Sequence, residues 1–186
     1  MASITDALKD ALSSVATAAG DLVGTVRDVA KNTVVQTVRA GGEVVTTTED
    51  VASKVVSEGV GAVSSTGASL TQGVTGLVSG AIEGVSQVGG DIGSTATAAA
   101  RGAVKSVSQI GGDVGQAAVS AVQGSIKAVE EIGGDTGGVA KNAVMGALAA
   151  ADEIGSEAGG IVRKALLNAV ALPHDIIDAL LTGKKE

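Results

Sequence analysis

Between Gly111 and Ile132 the apolar and polar side chains sort with the periodicity of a helix. At ~98° per residue, the step of an eleven-residue, three-turn repeat, Val114, Ala118, Ala121, Val122, Ile126, Val129 and Ile132 fall within an arc of about 130°. Asp113, Gln116, Ser120, Gln123, Lys127, Glu130 and Glu131 occupy the remaining face. Alternation with period two, the mark of a half-buried strand, fails over the same window. Lys127 stands three and four residues before Glu130 and Glu131, a spacing that adds local helix support. The pattern predicts an amphipathic helix.

That helix is one copy of several. Gly-Gly-Asp recurs at Gly89-Gly90-Asp91, Gly111-Gly112-Asp113 and Gly133-Gly134-Asp135, and a degenerate Gly155-Ser156-Glu157 follows at the same interval of 22 residues. A second glycine column, Gly80, Gly102, Gly124 and Gly146, keeps the same step. Twenty-two is two elevens, a period that holds an apolar stripe nearly straight along a helix. The stripe so defined comprises Val74, Val78, Ile82, Val85, Val88, Ile92, Val104, Val107, Ile110, Val114, Val122, Ile126, Val129, Ile132, Val144, Leu148, Ile154, Val162, Leu166 and Val170. Four segments follow: an N-terminal helix in 1–22, degenerate repeats in 23–66, regular repeats in 67–172, and a short amphipathic helix with a charged tail in 173–186.

The triplets interrupt the pattern. An interior glycine costs ~0.5–1 kcal/mol relative to alanine, so a unit holding several needs a reason for them. The second glycine of each triplet lies on the polar face, which suggests that Gly-Gly ends one helix and Asp91, Asp113 or Asp135 caps the next. Both a long helix and a stack of helices of four or five turns fit. The favoured expectation is an all-α fold of long amphipathic helices, bent or broken at the triplets and packed into a bundle or tube. A β-solenoid with 22-residue coils, suggested by the residues around Val44–Thr48, is the competing fold.

At the N-terminus Ser3-Ile4-Thr5-Asp6 has capping-box spacing, and Ile4, Leu8, Leu12 and Val15 share a side, predicting a helix from about Ile4. Beyond Pro173, Ile176, Ile177, Leu180 and Leu181 form a contact element that either docks on a partner or membrane or caps the last repeat. Gly59–Ile82 carries no charge, yet only ten of its 24 residues are apolar. That falls short of the ~20 predominantly apolar residues of a membrane span. Its Gly76, Gly80 and Gly84 match the small-xxx-small pattern of close helix contacts instead.

Composition removes several functions. The 186 residues contain no Phe, Trp, Tyr or Cys, one Pro and one His, so the core must be built from many small contacts rather than from aromatic side chains. A net charge of −7 argues against nucleic acid. One imidazole, His174, without cysteine cannot assemble the usual nitrogen or sulfur metal sites, and neither phosphate-binding glycine motif is complete. Serines and threonines lack a histidine partner. The chain is expected to be no enzyme, to need no cofactor, and, for want of a basic n-region, to reside in the cytoplasm, peripheral to a membrane or inclusion at most.

An uncovered aliphatic stripe implies a partner. The first expectation is a self-associating, homo-oligomeric scaffold that forms a stalk, tube or filament, since small residues favour close helix packing. Val34-Val35-Gln36-Thr37-Val38 and Glu49-Asp50-Val51-Ala52-Ser53-Lys54-Val55-Val56, with the eleven-residue period, resemble the synucleins and exchangeable apolipoproteins, and more loosely the phasins. That resemblance implies the alternative: an amphipathic coat on a lipid or hydrophobic-granule surface. The Lys-Thr-Lys-Glu-Gly-Val core of the synucleins is absent. A third reading is a stalk whose aliphatic lumen tethers a larger assembly to a membrane and passes hydrophobic small molecules such as quinone.

Overall fold

The computed structural model describes residues 4–17, 21–41 and 47–182. These form nine helices: α1 (Ile4–Thr17), α2 (Leu22–Arg39), α3 (Thr48–Ser65), α4 (Leu70–Gln87), α5 (Ile92–Gln109), α6 (Val114–Ile132), α7 (Thr136–Ile154), α8 (Ser156–Asn168) and α9 (His174–Thr182). No strand occurs among the described residues, which sets the β-solenoid aside for them; Val44–Thr46, Ser3 and the tail 183–186 lie outside the described residues.

Each Gly-Gly-Asp triplet ends one helix and starts the next, because three local effects coincide there. The first glycine takes a left-handed backbone, with φ of 76° at Gly89, 72° at Gly111 and 78° at Gly133, a conformation that side-chain-bearing residues adopt only at a cost. The second glycine donates its N–H back to the last turn: Gly90 to the Val85 carbonyl at 3.0 Å, Gly112 to Val107 at 2.9 Å and Gly134 to Val129 at 3.1 Å. The aspartate then accepts the third backbone N–H of the new helix, from Ser94 at 2.9 Å, Gln116 at 3.0 Å and Gly138 at 3.1 Å. The all-α expectation holds, with the chain broken rather than bent: it folds back at every triplet into helices of 18 or 19 residues, ~27 Å long at 1.5 Å per residue.

Consecutive helices run antiparallel and alternate between two rows. Gly59 of α3 lies against Leu77 of α4 while Gly73 of α4 lies against Val63 of α3; the numbers rise on one helix as they fall on the other. Helices two apart are parallel neighbours within a row, so α2, α4, α6 and α8 form one layer and α1, α3, α5, α7 and α9 the other. The interior between the rows is almost wholly Ala and Val, with Leu8, Leu77, Ile82, Leu166 and Ile177 as the largest fully buried side chains. One chain therefore covers most of its own stripe.

The repeat also starts earlier than its triplets. α2 and α3 are full-length units of 18 residues, although 23–66 reads as degenerate in sequence. The frame is hidden by the α2–α3 connection: the eight residues 40–47 separate these helices, whereas one to five separate the later ones, with four at each of 66–69, 88–91 and 110–113. Thr47 and Ser69 cap α3 and α4 where aspartate caps the later helices, Thr47 within a capping box with Asp50.

Candidate functional site

The most regular constellation in the molecule is a ladder of glycines against backbone carbonyls. The eleventh residue of α4, α5, α6 and α7 is Gly80, Gly102, Gly124 and Gly146, and each lies over the sixth residue of the helix two places earlier: Arg27, Ser53, Thr75 and Thr97. A Cβ on Gly124 would stand 2.5 Å from the Thr75 carbonyl oxygen, and one on Gly102 would stand 3.1 Å from that of Ser53. Cβ atoms on Gly80 and Gly146 would overlap the Arg27 and Thr97 carbonyls outright. Only a residue without a side chain admits this approach, which maximises dispersion contact between backbones. Hydroxyls reinforce two rungs: Thr75 Oγ1 reaches the Ser120 carbonyl at 3.4 Å and Thr97 Oγ1 the Asn142 carbonyl at 3.2 Å.

Most of the predicted stripe lies in the interior. Val74, Val78, Ile82, Val85, Val104, Val107, Val122, Val129, Val144, Val162 and Leu166 are buried, and Ile92, Val114, Ile126 and Leu148 pack partly buried against them; Val88 is half-buried at the end of α4. Four residues are corrections. Ile110, Ile132 and Ile154 are 43 %, 37 % and 40 % exposed, and Val170 is 91 % exposed. The isoleucines occupy the last positions before each left-handed glycine, where the helix has run past its neighbours; Val170 follows α8. Ser120, assigned to the polar face, is fully buried, and its Oγ has no partner; α6 is covered by α4 and α8 of its own row as well as by α5 and α7 of the facing row, so it buries more than one stripe. The C-terminal element folds inward: Ile177 is fully buried, Ile176, Leu180 and Leu181 pack against the core, and α9 closes on α7 and α8.

Among the described residues, charge enters the interior at one place. Glu83 of α4, 6 % exposed, accepts a hydrogen bond from Ser79 Oγ at 3.1 Å and faces Lys31 Nζ at 3.6 Å and Arg27 Nε at 3.9 Å, both on α2. Arg27 also donates to both carboxylate oxygens of Glu131 on α6 at 2.9 Å, and Asp28 lies beside Arg27 and Lys31. Burial by itself lowers the Arg27 pKa, but attraction to Glu83, Glu131 and Asp28 outweighs it and raises the value, so the guanidinium stays charged. Elsewhere Glu153 bridges Arg101 and Lys105 across α5 and α7, an exposed arrangement.

Asp91, Asp113 and Asp135 are engaged as caps, and they alternate between the two ends of the array as successive helices reverse direction. His174 is the exposed first residue of α9. No group of three or more metal-ligating side chains occurs among the described residues. The clearest cavities are a mainly apolar one of about 100 Å³ between Leu70, Val74, Val107 and Ala117, with Asp113 and Gln116 on its wall, and an open cleft of about 400 Å³ beside Ile154, Gly155 and Ile161. Among the described residues no helix is long and apolar enough to cross a membrane. No family model matches the chain, and no curated protein matches it. Its geometry alone bears on its role.

Proposed function

We propose that this chain is a non-catalytic structural element, a stiff helical array of cytoplasmic setting that acts as a spacer or scaffold. The observation that carries the reading is the glycine ladder, which repeats one backbone-to-backbone contact from α2 to α7 and leaves neighbouring helices little freedom to separate. Stacked repeats that chiefly contact their neighbours, closed by atypical terminal units, are the general plan of quasi-one-dimensional repeat proteins. Self-association in this reading runs through the outer surface, where Ile110, Ile132 and Ile154 stand exposed, and not through the buried part of the stripe. A lipid coat would oblige the helices to give up their mutual contacts. A lumen within one chain would need space that Ala, Val and Gly occupy.

Circular dichroism with and without liposomes, combined with light scattering after gel filtration, tests the proposal. The purified chain is expected to show full helicity and a sharp, cooperative melt without lipid, and neutral or anionic vesicles should leave both unchanged. Helicity that appears only on adding vesicles would overturn the scaffold in favour of the coat.

A further inference from the structure

The contact between α2 and α4 contains an ambiguity that the rest of the array lacks. Gly76, Gly80 and Gly84 of α4 lie over the carbonyls of Val23, Arg27 and Lys31 of α2, so glycines and carbonyls both repeat every four residues along parallel helices. Sliding α2 by one turn, ~5.4 Å, returns glycines to carbonyls. It also exchanges like for like among the side chains they meet, because Val26, Ala30, Val34 and Val38 are all small or aliphatic and four apart. Apolar packing therefore discriminates poorly between registers.

Glu83 does distinguish them. It sits between Lys31 and Arg27, four residues apart on α2, and Ser79 holds its carboxylate. A slip of one turn in one direction leaves Glu83 between Lys31 and Val35; the opposite slip leaves it between Val23 and Arg27. Either loses a cation from a carboxylate that is almost fully buried, and either displaces Arg27 from Glu131. A buried charge deprived of a partner is strongly disfavoured. We propose that the ion cluster of Glu83, Arg27, Lys31 and Glu131 selects the register of α2 on α4, choosing one of several one-turn positions that the glycine ladder alone would permit. Such selection by a buried polar group parallels the single polar residue that fixes register in a coiled coil.

The chain has no native cysteine, so spin labels can be placed on cysteines substituted for the exposed Asn32 of α2 and Gln72 of α4, staggered along the axis so that a slip changes their separation. Pulsed dipolar spectroscopy on the unaltered cluster should give one narrow distance. Glu83→Ala should add a population displaced by ~5 Å, one turn of helix. The combined variant Arg27→Val with Val35→Lys keeps Glu83 but moves the cation pair to positions 31 and 35, and it should give the displaced distance as its main population. The native distance alone in both variants would overturn the proposal. So would loss of the helical signal in both, because the slipped register is expected to stay folded on its glycine and aliphatic contacts.

Discussion

The units from α4 to α7 and the single unit α2 use the same glycine contact but hold it in place differently. Between α4 and α7 each helix is tied to the next by three or four residues whose left-handed glycine, back-bonded second glycine and aspartate side-chain cap leave one geometry. The turn then determines how far each helix advances, and the residues under Gly102, Gly124 and Gly146 are the uncharged Ser53, Thr75 and Thr97. α2 has a longer connection, an Asp21 that makes no side-chain cap bond, and Arg27 at its sixth position. At α2 a cluster of charges on three helices holds that position. A repeat protein can thus fix one geometric relation by local backbone chemistry in most units and by a long-range ionic cluster in another.

The difference can be broken or sharpened experimentally. The largest effect is expected from Val122→Asp, which places a carboxylate among fully buried aliphatics in the turn-defined region; the chain should lose its cooperative melt by circular dichroism, rather than merely dissociate. Next, Gly146→Ala should destabilise by about 1–3 kcal/mol, the scale of overpacking, because its Cβ overlaps the Thr97 carbonyl. Gly102→Ala, with 3.0 Å to Ser53 Oγ as its nearest contact, should cost visibly less in the same denaturant titration. A similar cost for the two would mean that carbonyl approach is not what the column provides. Gly111→Ala should cost ~1–2 kcal/mol through its left-handed backbone, read as a lower melting temperature. The smallest effect has the opposite sign: Gly61, exposed in α3 with no atom near its missing Cβ, should yield ~0.5–1 kcal/mol of added stability as alanine.

Much of this architecture is legible in the sequence, for identifiable reasons. Helical periodicity reveals the apolar side of each unit because helices in rows still bury a preferred face, as Val122 and Val129 show. The columns at Gly80 and Gly89 stand out because each answers a separate backbone demand, close approach in one case and a left-handed turn in the other. Whether a triplet bends or reverses the chain is harder to read, since the helix cost of glycine is small beside the tertiary contacts that decide the path. A wheel drawn through Ile132 assumes that the helix continues, and the isoleucine emerges into solvent because it stops. Ser120 eluded the same wheel because two layers of neighbours enclose its helix. The unit α2 escapes the 22-residue frame through its longer connection, although the step from Asp21 to Thr47 and then to Ser69 marks where α2, α3 and α4 begin. The charged cluster has no sequence signature, because Arg27, Glu83 and Glu131 meet only after three helices have folded.

The alternation of direction between the two rows has an electrostatic consequence. Every helix carries partial positive charge at its start and partial negative charge at its end. Aligned within a row, those moments would accumulate as units were added, but here each row opposes the other. Growth by pairs of units therefore leaves the macrodipole nearly cancelled, and an array of this kind could be lengthened without building a field that limits its size.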